Sequence, residues 1–329
     1  MKRVRFAPSP TGTLHIGNAL SAVANRSFGD WLLLRIDDTD PARNVRGGEE
    51  AIVEDLEWLG VVWDEGPVRQ SERGERYREA ASALGVERFG GVTLLRPDGS
   101  ATYHLASVVD DIDFGITHVV RGNDHRPNEA LHRRLHEALG SAPPEYLHHG
   151  LILGSDGKKL SKRAEGATVA SLREAGIPAE AARRYLEELG LPRHDVHLDL
   201  ARIRRLAIEA IQALSDEELA ARVGVEARYA PVMRGARDLN EAREFARQVA
   251  SPGAARTDDV ETLARFAELL DLPPRELLRE LRAAGGDLRA LRLALTGAAT
   301  GPELAAVLTV LPREEALRRV RAALESPER

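Results

Sequence analysis

The chain has 329 residues, 43% hydrophobic and 30% charged, which is typical of a folded globular protein and unlike a disordered one. A net charge of -6 does not support indiscriminate nucleic-acid binding, although a local basic surface is compatible with it. The absence of cysteine excludes disulfides, thiol nucleophiles and thiolate zinc sites. No apolar run approaches the roughly 18 residues of a membrane span, and no signal-peptide segment follows Met1. We therefore expect a cytoplasmic protein.

The first 165 residues alternate short apolar runs with helical stretches, which is the pattern of an α/β protein with a parallel sheet. Strands are predicted at 4–7, 31–36, 116–120 and 151–153. Helices are predicted at 14–28, 47–59, 72–84 and 127–139. Pro127 suits the first position of the last of these helices, and Gly140 suits its end. The fold class indicated is a Rossmann-like, doubly wound parallel sheet.

The composition changes after about residue 167. Ala, Leu, Arg and Glu dominate at helical spacing, which predicts an all-helical C-terminal region. Ser215 followed by Glu218 is typical of a capping box that opens one of these helices. We place domain boundaries near residues 167 and 225.

Four polar clusters each follow one of the predicted strands. They are Pro8–Gly12, Asp37–Asp40, Arg121–His125 and Gly154–Arg163. Ligands of open parallel sheets bind beyond the carboxyl ends of the strands, so we expect the four clusters to converge on one crevice.

The fourth cluster holds most of the lysine in the chain. Lysine occurs only at positions 2, 158, 159 and 162, and every other strongly basic residue is arginine. Three lysines within five residues of a glycine-rich segment predict a mobile loop that closes positive charge over a phosphate or leaving group. A solvated basic loop is the alternative. The spacing does not match a P-loop, which disfavours P-loop hydrolysis.

The first cluster leads into a helix that carries His15, Gly17 and Asn18. A helix N-terminus attracts phosphate, His15 can donate to phosphate oxygens, and Gly17 would let a flat base pack against the backbone. The alternative is a packing glycine beside a surface histidine.

Charged side chains from different edges of the predicted crevice suit an acidic amino acid. Arg5 and Arg121 could each hold a carboxylate, and Asp37 could hold an ammonium, with Tyr103 nearby; structural ion pairs are the alternative. The aspartates could also hold Mg²⁺. Two histidine pairs suggest a metal, but placement on a helix surface or in the core is favoured for them. These pairs are His132/His136 and His148/His149.

Several blocks occur in the order found in one enzyme family. They are Arg5–Ala19, Arg35–Asp40, Arg69–Arg73, Thr102–Asp111, Lys159–Arg163 and Leu293–Pro302. Together they resemble bacterial glutamyl-tRNA synthetases, which are class I aminoacyl-tRNA synthetases. The resemblance implies ATP-dependent activation of L-glutamate to glutamyl-adenylate, followed by transfer to the 3′ end of tRNA. It also implies ATP with Mg²⁺, a glutamate-specific tRNA as partner and a monomer. The absence of cysteine predicts no zinc, and the absence of a long apolar run predicts no membrane contact.

The resemblance assigns roles to residues at matching positions. Those implied to bind ATP are Ser9, Gly17, Lys159, Leu160, Ser161 and Lys162. Those implied to be catalytic are His15, Asn18, Lys159 and Lys162. Those implied to bind glutamate are Arg5, Ser9, Asp37, Tyr103 and Arg121. No residue is assigned to a protein-bound metal.

The resemblance also labels the domains. Residues 1–167 would form the catalytic domain, 168–225 a stem-contact region, and 226–329 a shortened anticodon-side domain. Two departures stand out: Asn123 occupies a position where relatives carry glutamate, and the connective insertion that grips the tRNA acceptor end is nearly absent around 85–92. Two alternatives therefore stay open, a glutamate-activating paralogue serving a non-tRNA acceptor and a catalytically idle RNA-binding relative. The lysine loop argues against the second.

Overall fold

The computed structural model describes residues 1–158, 160 and 164–325. The chain divides into two compact units. The first comprises Met1–Glu174 with Ala182–Ile203, and the second comprises Ala175–Ala181 with Arg204–Arg329. The boundaries near 167 and 225 stay predictions.

Parallel strands organise the first unit. Three of them form one sheet in chain order: β1 (Arg3–Phe6), β2 (Trp31–Ile36) and β3 (Glu65–Arg69). A short antiparallel hairpin follows in the chain, made of β4 (Arg88–Phe89) and β5 (Val92–Thr93). A second parallel pair then forms from β6 (His118–Gly122) and β7 (Glu145–His149).

The two parallel sheets meet at β1. The backbone N–H of Thr117, just before β6, donates to the carbonyl of Arg3 at 2.9 Å. The strand β1 therefore lies between β2 and β6, and the strand order reverses there. Such a reversal is the switch point at which doubly wound sheets bind ligands.

Helices alternate with these strands. They are α1 (Ile16–Phe28), α2 (Gly48–Trp58), α3 (Gly74–Leu84), α4 (Tyr103–Asp113) and α5 (Glu129–Ala138). The last begins two residues later than predicted, because Pro127 lies in a preceding 3-10 helix. Gly140 adopts a left-handed φ of 76° just past the end of α5, as expected of a helix stop.

Apolar side chains of the strands and of α1 build the core that supports the switch point. Val4, Ile16, Leu20 and Leu33 are all fully buried. Asp55 of α2 fixes the start of α1, because its Oδ2 accepts from the Leu14 backbone N–H at 2.7 Å. The first turn of α1 is thereby held rigidly at the carboxyl end of β1.

One short strand departs from the all-helical prediction for the region after residue 167. The strand β8 (Ile152–Leu153) pairs in parallel with β9 (Val196–His197), so a sheet contact lies within the predicted stem-contact region. The backbone carbonyls of Leu151 and Leu153 need donors, and the N–H groups of Val196 and Leu198 supply them at 2.9 Å.

Helices make up the rest of the described chain. They are α6 (Val169–Glu174), α7 (Ala179–Leu189), α8 (Leu200–Ala213), α9 (Asp216–Val223), α10 (Ala230–Met233), α11 (Leu239–Ala250), α12 (Val260–Leu269), α13 (Pro274–Ala283), α14 (Leu288–Thr296), α15 (Leu304–Val310) and α16 (Arg313–Glu325). The capping box at Ser215 and Glu218 is confirmed. Met233, Phe266 and Leu291 lie in one buried core of the second unit. In the part of the chain that the structure describes, no helix is both long and apolar enough to cross a bilayer.

Candidate active site

Two of the four polar clusters touch each other at the switch point, and the fourth contacts the histidine that follows the first. The Asp37 backbone N–H donates to the Pro8 carbonyl at 2.9 Å, which joins the first two clusters. His15, which follows the first cluster, lies 3.1 Å from the carbonyl of Leu160 in the fourth. The third cluster borders the same region through Arg121, whose charge acts on the Tyr103 hydroxyl together with those of Asp37 and Arg5.

Arg121 carries a buried positive charge that lacks an anionic partner among the described residues. Its side chain extends from β6, the residue is 6% exposed, and both Nη1 and Nη2 are buried without a hydrogen-bond acceptor. Its guanidinium carbon lies 5.1 Å from the centre of the Tyr146 ring. Burial lowers the pKa of Arg121 below its ordinary value. A buried guanidinium with two vacant donors is suited to a carboxylate ligand.

Arg5 and Asp37 belong to a buried ion network that sequence reasoning missed. Arg35, 1% exposed, donates to Asp37 through Nε at 2.7 Å and Nη2 at 3.2 Å. Its Nη1 donates to Asp111 at 3.0 Å, and the same Asp111 oxygen lies 3.4 Å from Arg5 Nε. We call Arg35, Asp37, Asp110, Asp111 and Arg5 the Arg35 cluster. An arginine within the apolar run of β2 is the sequence signal that could have revealed it.

The Arg35 cluster balances most of its own charge. Asp110 accepts from Arg73 at 2.7 Å and from Tyr77 at 2.9 Å, in addition to its approach to Arg35. Burial raises the pKa of the Asp37 carboxyl, although the adjacent Arg35 guanidinium opposes that shift. Arg35 therefore fixes the orientation of the Asp37 carboxyl through both of its oxygens.

Histidine rings surround Tyr103 and Arg121. Tyr103 is the first residue of α4, and its hydroxyl oxygen lies 3.4 Å from His125 Nδ1. Burial raises the pKa of the Tyr103 hydroxyl. His104 Nδ1 lies 3.0 Å from His132 Nε2. Burial lowers the pKa of His132 to about 2 and also lowers that of His104, so both rings are neutral.

The histidine pairs that suggested a metal lie mostly in the core. His132 and His136 are each 1% exposed, and His149 is 2% exposed with its Nε2 2.8 Å from Ser21 Oγ. Within residues 1–158, 160 and 164–325, no group of three or more possible metal ligands occurs. His132 and His136 therefore lie in the core, one of the two placements favoured for them.

The start of α1 holds the residues expected to handle ATP. His15 caps the helix, because its Nδ1 accepts from the Gly17 backbone N–H at 3.2 Å. The ring proton is therefore on Nε2, which donates to the Leu160 carbonyl. A Cβ added to Gly17 would approach only His15, at 3.6 Å, so the backbone here is open to a flat group. Asn18 is exposed and Ser9 is partly exposed.

Part of the lysine loop falls outside the described residues. This applies to Lys159, Ser161, Lys162 and Arg163, which were assigned to ATP and catalysis. The described Leu160 joins the loop to His15.

Asn123 braces the segment that leads into the lysine loop. Its Nδ2 donates to Asp195 Oδ1 at 3.0 Å, and the same oxygen accepts from the Leu151 backbone N–H at 2.8 Å. The Leu151 hydrogen bond lowers the pKa of Asp195. A glutamate at position 123 would place a second carboxylate against Asp195, so asparagine suits this partner.

A tight hairpin lies where the sequence predicts that the connective insertion is nearly absent. Gly90 and Gly91 turn between β4 and β5 with φ of 57° and 88°. A Cβ on Gly90 would lie 2.6 Å from Leu131 Cδ1 of α5, so the turn packs closely against that helix. Phe89 of the hairpin packs on the core that includes Tyr77 and Leu105.

Comparison with known proteins places these features in a family. A family model described as "tRNA synthetases class I (E and Q), catalytic domain" matches residues 1–87 and 85–204, two segments that meet at the hairpin. A model described as "Anticodon binding domain" matches residues 275–324.

Relatives match over nearly the full chain. A glutamate–tRNA ligase 1 from Rubrobacter xylanophilus is 36% identical, covering 98% of this chain and 98% of the relative. A glutamate–tRNA ligase from Akkermansia muciniphila is 32% identical, covering 97% and 98%. The first alignment runs over 426 residues against the 329 of this chain, so it contains gaps. A crystal structure of a glutamate tRNA ligase from Elizabethkingia meningosepticum in complex with its amino acid has a TM-score of 0.77 at 25% identity, covering 99% of both chains.

Proposed function

Because this chain belongs to the family of class I tRNA synthetases for glutamate and glutamine, we propose that it is a glutamate–tRNA ligase. In the first step a glutamate α-carboxylate oxygen attacks the α-phosphorus of ATP, and pyrophosphate leaves to give glutamyl-adenylate. In the second step a hydroxyl of the 3′-terminal ribose of tRNA attacks the activated carbonyl, and AMP leaves. ATP enters as its Mg²⁺ complex.

The observation that carries the choice of amino acid is the pair of buried Nη groups of Arg121, which have no hydrogen-bond acceptor among the described residues. A buried cation with two vacant Nη donors is stabilised by a ligand carboxylate, and no residue that the structure describes places an acceptor at hydrogen-bond distance from those two nitrogens. We assign Arg121 to the side-chain carboxylate of glutamate, with Arg5 assisting. Tyr103 borders the same space, and Asp37 receives the substrate ammonium on a carboxylate whose orientation Arg35 fixes.

The ATP end of the site is assigned to the start of α1 and the lysine loop. Gly17 offers an open backbone for the adenine, while Ser9, Asn18 and His15 face the phosphates. The His15 Nε2–H that donates to the Leu160 carbonyl in this structure would be shared with, or released to, phosphate oxygens when ATP binds. The lysines at 159 and 162, with Leu160 and Ser161, would stabilise the pyrophosphate as its charge develops.

Catalysis then depends on positioning and on charge, and no protein nucleophile is needed. Holding the α-carboxylate of glutamate in line with the α-phosphorus converts a bimolecular encounter into an intramolecular one. Loop lysines meet the leaving pyrophosphate mainly in the transition state, so their effect falls on kcat.

The helical regions are assigned to tRNA. We propose that 168–225 contacts the inner side of the tRNA and that 226–329 is the anticodon-side domain, in line with the anticodon-domain match at 275–324. Glutamate-specific tRNA is the acceptor proposed, and we treat the protein as a cytoplasmic monomer.

The hairpin favours one second candidate, which is glutamate activation for a non-tRNA acceptor. With Gly90 and Gly91 closing the chain where relatives insert a domain, fewer contacts orient the tRNA 3′ end over the adenylate. Orientation contributes several kcal/mol to a barrier, so transfer to tRNA should be slow while activation is not.

Charging of total tRNA with radiolabelled glutamate tests the proposal, with AMP release measured in the same samples. We expect glutamyl-tRNA whose formation weakens steeply with salt, because phosphate contacts dominate tRNA binding. If AMP release depends on glutamate but no labelled glutamyl-tRNA forms, the non-tRNA acceptor is favoured. If a folded sample forms neither glutamyl-tRNA nor AMP, glutamate activation itself is refuted.

A further inference from the structure

His148 faces Arg121 across two neighbouring strands. The parallel register pairs Arg121 of β6 with His148 of β7, so the two side chains lie on the same face of the sheet. Arg121 Nε donates to His148 Nε2 at 3.3 Å. The other ring nitrogen, Nδ1, lies 3.5 Å from Glu129 Oε2 at the start of α5. The His148 side chain is 2% exposed.

We propose that His148 is a positioning residue that sets the preference for glutamate over glutamine by orienting Arg121 and leaving its charge unneutralised. This inference rests on the proposed function. Neither the family matches nor the sequence motifs assign any role to His148.

The donors of the Arg121 guanidinium restrict how a carboxylate can approach it. A carboxylate can bind a guanidinium side-on, through Nε and one Nη, or end-on, through both Nη atoms. Because His148 already occupies the Nε–H of Arg121, only the end-on approach stays available. The centre of the Tyr146 ring also lies 5.1 Å from the Arg121 guanidinium carbon, and this ring is nearly parallel to the His148 ring.

The protonation state of the His148 ring decides whether the charge of Arg121 is neutralised. Since His148 Nε2 accepts a hydrogen bond, the proton lies on Nδ1, where it faces Glu129, and the imidazole is neutral. Burial, reinforced by Arg121, lowers the pKa of His148 to about 4. A carboxylate in this place would satisfy the same N–H but would cancel the charge of Arg121 before any ligand arrived.

The surroundings keep the charge of Arg121 available for a ligand. The charge of Asp111 acts on Arg121, but Asp111 is already paired with Arg35 and Arg5. Glutamate supplies the missing negative charge, whereas glutamine leaves the cation buried and uncompensated. The preference for glutamate over glutamine therefore depends on His148 acting as an uncharged hydrogen-bond acceptor.

Three substitutions separate these effects. His148→Glu keeps an acceptor but adds the competing charge, His148→Gln keeps a neutral acceptor, and His148→Leu removes the acceptor. The matched control is His118→Leu, a histidine on β6 whose ring packs near Phe28. Full-length protein is used, with glutamate and glutamine binding measured by calorimetry and kcat/KM measured by pyrophosphate exchange with tRNA present.

We expect His148→Glu to lower the glutamate-to-glutamine ratio of kcat/KM by about 10–100-fold, through weaker glutamate binding. His148→Leu should weaken glutamate binding about 10-fold, and His148→Gln should restore most of it. KM for ATP should stay within about threefold in all three, as in the control. A purely structural role would instead raise both KM values together, and an unchanged ratio in His148→Glu would overturn the inference.

The binding measurements distinguish failure of this inference from failure of the proposed function. If the unmodified protein binds glutamate but charges no tRNA, the proposed reaction fails while the specificity ratio in binding still decides the role of His148. If the unmodified protein binds glutamine as well as glutamate, the inference is wrong whatever the reaction. If it binds neither amino acid, both are overturned.

Discussion

Arg35→Met should strongly destabilise the first unit, because Arg35 clamps two buried carboxylates. It donates to Asp37 at 2.7 and 3.2 Å and to Asp111 at 3.0 Å, from a position that is 1% exposed. Asp111 keeps its approach from Arg5, but Asp37 loses its bidentate partner. The substitution therefore leaves a buried carboxylate without a hydrogen-bonding cation, which is far more costly than losing an exposed pair.

The expected magnitude is about 3–5 kcal/mol of unfolding free energy, the range for removing one partner of a buried pair. For a unit of this size each kcal/mol lowers Tm by roughly 2–4 °C, so we expect a fall of about 6–20 °C. Urea unfolding followed by circular dichroism gives the free energy, and a thermal scan gives Tm.

Arg69→Met is the matched control. Arg69 forms the same two-pronged contact with Glu49, at 2.7 Å through both Nε and Nη2, but its side chain is 42% exposed. An exposed pair of this kind contributes about 0–1 kcal/mol. The double variant Arg35→Met/Asp37→Asn should recover part of the lost unfolding free energy, because it also removes the buried charge that Arg35→Met leaves unpaired on Asp37. If Arg35→Met lowers the free energy of unfolding by no more than Arg69→Met does, burial does not make the ion pairs of the Arg35 cluster more stabilising than an exposed pair.

Three further predictions concern a titration, a turn and the lysine loop. Burial holds His132 neutral in the folded state with a pKa of about 2, whereas the unfolded chain takes up a proton at this histidine below about pH 6.5. The free energy of unfolding therefore falls as the pH drops. His132→Asn should reduce the slope of unfolding free energy against pH by about 1.4 kcal/mol per pH unit between pH 6 and 5. Gly90→Ala should cost about 1–3 kcal/mol, because φ is 57° and the new Cβ would lie 2.6 Å from Leu131, whereas Gly91→Ala meets open space and should cost less. Lys162→Ala should lower kcat about 10²–10³-fold with little change in KM for ATP.

Each of these has a contrary outcome. Parallel pH–stability curves for the His132→Asn and unmodified proteins would contradict the neutral buried ring. Equal losses at the two glycines would mean that contact with α5 does not constrain the hairpin. An effect of Lys162→Ala on KM for ATP alone would place that lysine in ground-state binding.

The elements that could be predicted from sequence are those with apolar runs or clear helix ends. The strands β1 and β2 were found because their residues are almost all buried. The strands β3 and β7 were missed, because Glu65–Arg69 and Glu145–His149 are rich in charged residues, proline and histidine and show no apolar run. The short β9 was missed in an otherwise helical region, since two residues carry no periodic signal.

The candidate site was predicted in its outline but not in its connections. Residues that follow strands were expected to meet, and Asp37 and Pro8 do so. The contacts that decide their chemistry are pairings between distant segments, such as Arg35 with Asp111 or Arg121 with His148, and local patterns do not contain them. His15 illustrates this, because its role as a helix cap bonded to Leu160 depends on a loop more than a hundred residues away.

Pyrophosphate exchange with glutamate or glutamine as the only amino acid, in the presence of tRNA, tests the central claim most directly. The two vacant Nη donors of Arg121 are expected to hold a ligand carboxylate. We expect ready exchange with glutamate, and exchange with glutamine lower by at least about 100-fold in kcat/KM, because the amide leaves a buried cation uncompensated. Equal exchange with the two amino acids, or none with glutamate in a folded sample, would contradict it.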